Sequence, residues 1–591
     1  MVNPEEDFAI KEIIRRIALI NAISHKGKAQ TNPVLGKLLS EKPELKKRIR
    51  TLTSLINEVV QEINEMSLDK QREIVSELWP EMLAKEKEKV EEKKLPPLPN
   101  VEKYRQVVTR FAPNPDCVLH LGSARAIILS HEYARIYNGV FILRFEDTDP
   151  RLKKSALQFF DLIRRDLEWL GCNWDAEYIQ SDRIEIYYEY AEKLLENGQA
   201  YVCICGPEEF RELIKQKRSC LCRNLPKEEH LSRWDAMLNG EYEEGEAVVR
   251  IKTDLDHPNP AIRDWPAFRV IDTKKYPHPR IGSKYRVWPL YNFASGIDDH
   301  LMSVSHIIRG KEHLTNQRRQ EYLYRYLGWE YPEAMHYGRL KIEGASLSKS
   351  KILRGVKEGT YKGWDDPRLA TFLALRRRGI MPEAIRRLII DIGPRPVDIT
   401  LSWENLYAYN RKIVDPLAYR FFFVQEPVKL IVKGIAKNFI AHIPLHPDYP
   451  EKGSRIFEVK PKDGVACFLI SNKDANRLQE GSIIRLMELF NIQIGNVKEN
   501  KVIASFHSET YDEARKLGAQ LIHWIPEGQA LPFEVTMPDG STIKGLVERK
   551  FEEYLITEAF GDFQMVVQFE RFGFVGVDNK DGRINAFFAH K

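Results

Sequence analysis

The stretch from Val107 to Pro150 constrains the fold more than any other part of the chain. A β-branched run, Val107-Val108-Thr109, enters Arg110-Phe111 and then a loop broken by Pro113 and Pro115. The loop leads through His120-Leu121-Gly122-Ser123 into an apolar helix. A second apolar run, Val140 to Phe145, ends in the carboxylates Glu146, Asp147 and Asp149. Strand, loop, helix and strand in that order predict a βαβ unit and hence a parallel sheet.

A helix start carries unpaired N–H groups and partial positive charge, so phosphates settle there. Gly122 lets a ligand approach the backbone, and His120 and Ser123 add donors at the rim. Both strand ends open on one crevice, where open α/β sheets hold ligands. His-x-Gly by itself fits an ordinary βαβ turn with a capping histidine equally well.

At 591 residues the chain is too long for one core, and about three to five domains are expected. A formal charge of +5 with 30% charged residues permits a nucleic-acid partner without demanding one. No apolar run approaches a membrane span, and the start, Met1 to Asp7, lacks the basic and apolar regions of a secretory signal. Seven cysteines, odd and sparse, argue against a disulfide framework; a cytoplasmic protein with no membrane association is expected.

Residues 1–80 read as helical, with Ile10, Ile13, Ile14 and Ile17, then Leu52, Leu55, Ile56, Val59, Val60 and Ile63, at the helix period. A Lys/Glu run, Lys85 to Lys94, and a Pro-stiffened linker, Leu95 to Asn100, follow. The basic cluster Lys46-Lys47-Arg48-Ile49-Arg50 fits either a solvated helix face or contact with RNA phosphates. Further on, Cys203-Ile204-Cys205 and Cys220-Leu221-Cys222 form matched pairs. In a reducing compartment they suit tetrahedral thiolate binding of a structural zinc, with idle thiols or a redox pair as alternatives.

Ile307-Ile308 reads as a buried strand that carries Arg309 to the ligand edge of the sheet. A guanidinium buried beside a pocket needs an anion, either a ligand carboxylate or a neighbour such as Glu312. Ser346-Leu347-Ser348-Lys349-Ser350-Lys351, after Gly344, is either a surface loop or a mobile cation able to follow charge developing on phosphates. From Gly363 to Arg411 the reading is helical. Beyond Pro416 the period changes to short strands, with a hairpin across Pro538 to Ser541, which suggests one or two β-barrels. Trp524 and Arg455 are candidate contacts for splayed bases there.

Taken together, Arg110-Phe-Ala-Pro-Asn-Pro115, Leu119-His-Leu-Gly-Ser123, Arg144-Phe-Glu-Asp-Thr-Asp-Pro150, the Ser346–Lys351 loop and Trp364-Asp-Asp-Pro-Arg368 resemble class I aminoacyl-tRNA synthetases. The resemblance runs from about Val101 to the C-terminus and is to the glutamyl/glutaminyl subfamily, most of all its archaeal glutamyl type. It implies a multidomain α/β fold: a helical N-terminal appendage and linker (1–100), a Rossmann-like catalytic domain in two halves (101–176 and 285–350) and an inserted acceptor-end-binding domain (177–284). A helical connector (351–411) and an anticodon-binding β-barrel region (412–591) would complete it; bacterial glutamyl enzymes end in helical domains instead.

The resemblance further implies ATP-dependent activation of L-glutamate to glutamyl-adenylate and transfer to the terminal adenosine of tRNA(Glu), with magnesium accompanying ATP. His120, Gly122, Ser123, Ser348, Lys349 and Ser350 would hold the nucleotide, and His120, Ser123 and Lys349 would assist the chemistry. Arg309 would read the γ-carboxylate, where glutaminyl enzymes carry a small uncharged residue. Arg110 would make a second carboxylate contact, Glu146 would pair with the α-ammonium and Tyr291 would line the pocket. Cys203, Cys205, Cys220 and Cys222 would hold the zinc. Ser123 stands where many class I enzymes have a second histidine, and Ser346 where the loop's first lysine often sits. Cys117 has no evident reason in the pattern. A glutaminyl enzyme of the same fold and a catalytically silent RNA-binding relative are the alternatives. Arg309 speaks against the first; the presence of His120 and Lys349 speaks against the second.

Overall fold

The computed structural model describes residues 4–24, 27–42, 45, 49–79, 95–345, 347–498, 500–557, 565–580 and 583–591. The chain divides into two compact units, Met1–Lys94 and Leu95–Lys591. The first contains the helices Pro4–Ser24, Thr31–Glu41, Ile49–Glu65 and Leu68–Leu78. Its core is built from the periodic positions, including Ile14, Ile17, Ile56, Val59 and Ile63. The expected Lys85–Lys94 run and Lys46, Lys47 and Arg48 lie outside the described residues.

The second unit begins with the Pro-rich segment, and here the expectation of a linker is corrected. Leu98 N donates to Tyr137 Oη (3.0 Å), Tyr133 Oη to the Pro96 carbonyl (2.9 Å), and His306 Nε2 meets the Pro99 carbonyl (2.9 Å). Residues 95–100 are strapped onto the α/β core, because three carbonyl and amide groups find buried partners there.

Strand β1 (Val108–Phe111), the Leu121–Ile136 helix and β2 (Val140–Phe145) form the expected βαβ unit, and β1 and β2 pair in parallel. Strand β3 (Ala176–Ile179) pairs in parallel with β2. The inserted region carries β4 (Ala200–Cys203), β5 (Val248–Ile251), β6 (Pro266–Val270) and β7 (Val287–Pro289) as one antiparallel sheet. The expected boundaries at 176/177 and 284/285 therefore each cut a strand from its sheet: β3 belongs with the core and β7 with the insertion.

Strand β8 (His306–Gly310) pairs in parallel with β9 (Glu333–Tyr337). The starts of β1 and β8 meet, where Ser305 N donates to the Val108 carbonyl (3.0 Å) and Val108 N to Ser305 Oγ (2.8 Å). The spatial order β3-β2-β1-β8-β9 reverses between β1 and β8, and a ligand crevice opens outside such a switch point.

The connector helices Lys349–Lys357, Phe372–Arg377, Pro382–Ile392 and Trp403–Val414 do not form a separate body. Ala370–Phe372 runs along Leu119–Leu121: Leu121 N donates to the Ala370 carbonyl (2.8 Å) and Phe372 N to the Leu119 carbonyl (3.2 Å). Beyond residue 416 come two seven-stranded sheets, each with its own apolar cluster. In one of them the two edge strands, Tyr419–Phe421 and Phe423–Gln425, are consecutive in the chain, so Phe422 bridges the sheet's open side.

Trp524 and Arg455 are corrected by this packing. Trp524 is fully buried and donates to the Met487 carbonyl (2.9 Å); Arg455 is 5% exposed and paired with Glu548 (2.7 Å). Both hold the sheets together and neither is open to a base.

Candidate active site

The Leu121–Ile136 helix starts at His120, whose extended backbone (φ −141°) makes it the N-cap. Its Nδ1 accepts the Gly122 N–H at 3.0 Å, so the ring proton sits on Nε2. Burial holds the imidazole pKa below its ordinary value, and the group presents a neutral Nε2–H donor beside the helix start. A Cβ at Gly122 would come within 2.8 Å of His120 Cε1, so only glycine lets the ring fold back onto the cap. Ser123 N donates to the His120 carbonyl (2.7 Å) in the same first turn.

The loop of the second phosphate-binding candidate faces this helix start. Leu347 lies 3.6 Å from the position a Gly122 Cβ would take. Ser348 immediately precedes the Lys349–Lys357 helix and sits 3.3 Å, oxygen to oxygen, from Ser350. Burial pulls the Lys349 ammonium down to about 8, while the ion pair with Asp116 opposes that. Ser346 lies outside the described residues.

A second group of predicted residues shares one cavity of about 580 Å³ at the switch point: Arg110, Glu146, Tyr291 and Arg309 all line it, with Asn114 and His313. His120, Gly122, Ser123 and Lys349 are not in its wall. Asn114 and Asp116 stand two residues apart on the loop between the two groups.

Behind the cavity lies an ionic network that sequence reasoning missed. Asp299 accepts from Arg110 Nε (3.1 Å), Arg110 Nη2 (3.3 Å) and Arg144 Nη1 (2.8 Å). Arg144, with no exposed surface, also reaches Glu146 (3.0 Å) and Ser295 Oγ (3.1 Å). Arg183, Gln180 and Tyr187 donate to Asp298 at 2.8, 3.0 and 2.7 Å. Burial would raise the Asp299 pKa, but Arg110 and Arg144 hold it at about 2. For Glu146 burial prevails over Arg144 and Arg110, and its pKa is raised. Burial, with Arg309 and Arg110, pushes His313 down to about 4, so it stays neutral where it meets Tyr291 Oη (3.3 Å). An arginine inside an apolar strand (Arg144) and the tandem Asp298-Asp299 were the available signals.

Arg309 differs from the other arginines. It is 5% exposed, and its nitrogens reach only neutral partners: Gln320 Oε1 (3.2 and 3.3 Å) and Tyr331 Oη (2.8 Å). Among the described residues no carboxylate lies within ion-pairing distance, and the Glu312 pairing considered above is not formed; Glu312 lies 4.0 Å from Arg339. Arg110, Arg144 and Arg183 are matched by Asp298, Asp299 and Glu146, so the charge of Arg309 is left uncompensated in the cavity wall.

In the inserted region Cys203, Cys205, Cys220 and Cys222 have their sulfurs within 4.8 Å of one another, and none is in a disulfide. Cys203–Cys220 and Cys205–Cys222 are 3.9 and 3.7 Å apart. A tetrahedral zinc with Zn–S of about 2.3 Å needs sulfur separations of about 3.8 Å, so the four thiols fit that ion. Arg233 Nη1 lies 3.5 Å from Cys222 Sγ and Tyr201 Oη 3.8 Å from Cys220 Sγ, donors suited to thiolates. Cys117 is a small apolar filler packed with Val118 and Phe159, and burial pushes its thiol up to about 11.

Residues 106–416 match the family model described as tRNA synthetases class I (E and Q), catalytic domain, and residues 418–511 the model of their anti-codon binding domain. Glutamate–tRNA ligase of Thermococcus kodakarensis is 54% identical, over 98% of this chain and 100% of its own. The corresponding ligase of Pyrococcus furiosus is 52% identical over the same shares. That of Methanopyrus kandleri is 47% identical over 99% of this chain and 100% of its own.

Proposed function

From the premise that the chain belongs to the class I glutamate–tRNA ligases, we propose how its residues divide the work. The enzyme joins L-glutamate to tRNA(Glu) at the expense of ATP. The α-carboxylate attacks the α-phosphorus, pyrophosphate leaves, and the ribose hydroxyl of the terminal adenosine then displaces AMP; magnesium would accompany ATP and offset its phosphate charge. No side chain acts as nucleophile, so positioning and phosphate electrostatics supply the rate.

In this reading Arg309 binds the side-chain carboxylate of glutamate, and its missing counter-charge is the observation that carries the assignment. An anionic side chain completes the balance, whereas a neutral one leaves a buried guanidinium unpaired. Arg110, whose Nη1 is not engaged by Asp299, contributes to the carboxylate site, Glu146 takes the ammonium, and Tyr291 closes the wall. His120 Nε2–H and the Ser123 hydroxyl at the helix start and Lys349 on its loop hold the phosphates, with Ser348 and Ser350 beside the lysine, while the Gly122 and Ser123 amides are taken by His120 itself. Lys349 exchanges Asp116 for phosphate when ATP binds.

The four cysteines would hold a zinc, which closes two loops of the insertion and leaves no coordination site for chemistry. The insertion, taken as 180–289, grips the acceptor end, and the C-terminal sheets read the anticodon. As a translation enzyme with four cysteine thiols in one cluster, it works in the cytoplasm. Charging of unfractionated tRNA with labelled glutamate, followed by identification of the charged isoacceptors, tests the reading. Arg309→Cys is expected to lower glutamate use about 100-fold with the KM for ATP unchanged; equal losses for both substrates would refute the assignment.

A further inference from the structure

The uncompensated charge of Arg309 is itself held in place, and the holder is a residue with no assigned role. Gln320 lies in the middle of the Leu314–Leu327 helix and has no exposed surface. Its Oε1 accepts from Arg309 Nη1 (3.2 Å), Arg309 Nη2 (3.3 Å) and Tyr331 Oη (2.8 Å). Tyr331 Oη in turn accepts from Arg309 Nη2 (2.8 Å), which closes a three-member ring of hydrogen bonds. Burial raises the Tyr331 pKa, so the phenol remains a neutral donor.

The helix is brought to this position by close packing. A Cβ at Gly296, on the facing Tyr291–Leu301 helix, would lie 3.0 Å from Leu323, and Tyr324 Oη donates to the Gly296 carbonyl (3.0 Å). The same helix face that carries Leu323 and Tyr324 presents Gln320. A guanidinium in such a site is ordinarily fixed by a carboxylate, which would fix its orientation and cancel its charge together. Gln320 separates the two: its amide oxygen orients the fork and leaves the full positive charge for a ligand.

We propose that Gln320 is a positioning residue for amino-acid selectivity, and that the neutrality of its side chain keeps the pocket selective for an anionic over an amide side chain. The proposal rests on the assignment of Arg309 to the substrate's side-chain carboxylate. Substituting Gln320→Glu keeps the shape and the acceptor but supplies an internal counter-ion. Substituting Gln320→Leu removes the acceptor and leaves the charge.

The full-length enzyme and its variants are compared in tRNA charging with labelled glutamate and labelled glutamine, with ATP and tRNA KM measured alongside. Gln320→Glu is expected to raise the KM for glutamate roughly 100-fold and to bring the glutamate-to-glutamine preference down by a similar factor. The KM values for ATP and tRNA should stay within about 2-fold. Gln320→Leu is expected to raise the KM for glutamate about 10-fold, through loss of orientation, with the preference for glutamate over glutamine retained. An unchanged preference in Gln320→Glu overturns the proposal, while a lost preference in Arg309→Cys alongside it leaves the Arg309 assignment standing. If Arg309→Cys also leaves the preference unchanged, the assignment and the proposal fall together. If Gln320→Glu yields no folded protein, an unchanged glutamate KM in Gln320→Leu overturns the proposal by itself.

Discussion

Replacing Asp299 by asparagine removes the charge that Arg110 and Arg144 share while nearly preserving the shape. In the native protein its carboxylate accepts three guanidinium hydrogen bonds, and neither oxygen meets solvent to any extent, since the residue is 1% exposed. Breaking a buried pair by deleting one partner leaves the other charge uncompensated and costs about 3 to 5 kcal/mol. A second route gives a similar figure: a pKa held at about 2 rather than 3.8 corresponds to roughly 2.5 kcal/mol.

Asp299→Asn should therefore destabilise the catalytic unit by roughly 3 kcal/mol at neutral pH. The pH dependence has a definite sign. A carboxylate whose folded pKa is depressed stabilises above its unfolded pKa and loses that contribution as pH falls through the folded value. The gap between native protein and variant should be constant above about pH 5 and shrink between about pH 4 and 2. Urea unfolding followed by tryptophan fluorescence over a pH series measures the gap. Combining Asp299→Asn with Arg110→Met should cost about 1 to 3 kcal/mol less than the sum of the single changes, because one stranded charge is removed with its partner. A gap below about 1 kcal/mol at neutral pH, or strict additivity, would refute the account of this network as mutually compensating.

Gly122→Ala should cost about 1 kcal/mol by driving His120 off its cap, and lower kcat/KM for ATP about 10-fold with glutamate KM unchanged; an unaltered ATP profile would mean that the capped ring is not the phosphate donor. Mass spectrometry under native conditions should find one zinc per chain, lost in Cys203→Ser. Loss of zinc should lower the melting temperature and weaken tRNA binding while leaving ATP binding intact, and a metal-free protein of full stability would show the four thiols to be idle.

The strand–loop–helix–strand start was legible because each element declares itself within a few residues: β-branched runs, Pro113 and Pro115, then the capping His120 before Gly122. Arg309 was legible for the same reason, as a charge at the end of an apolar strand. Its holder was not, since Gln320 on a polar helix resembles any surface glutamine until the Gly296 packing turns that face inward. Asp299 could be seen but not placed, because its partners Arg110 and Arg144 lie 189 and 155 residues away in the chain. The insertion boundaries slipped at β3 and β7, strands of 4 and 3 residues whose membership depends on pairing rather than composition. Arg455 was misjudged because a short strand's inward phase is set by its register, and Trp524 because it sits in the gap between the strands Gln520–Ile522 and Ile525–Pro526, where only tertiary packing turns it inward.

The run of chain beside the capping histidine reaches further than the nucleotide site. Thr371 bridges to His120, and the helix that Thr371 caps ends at Arg377, which is bound to Asp578 at 2.9 Å. The next residue, Arg378, donates to the carbonyls of Phe588 and Ala589 at 3.2 and 3.0 Å. Two turns of helix thus tether the last strands of the molecule to the backbone that shapes the phosphate cradle. A protein truncated after Val414 would keep every group proposed to hold ATP and yet lose the anchor at the far end of that tether, so nucleotide affinity in such a fragment would be a property of the cut as much as of the fold.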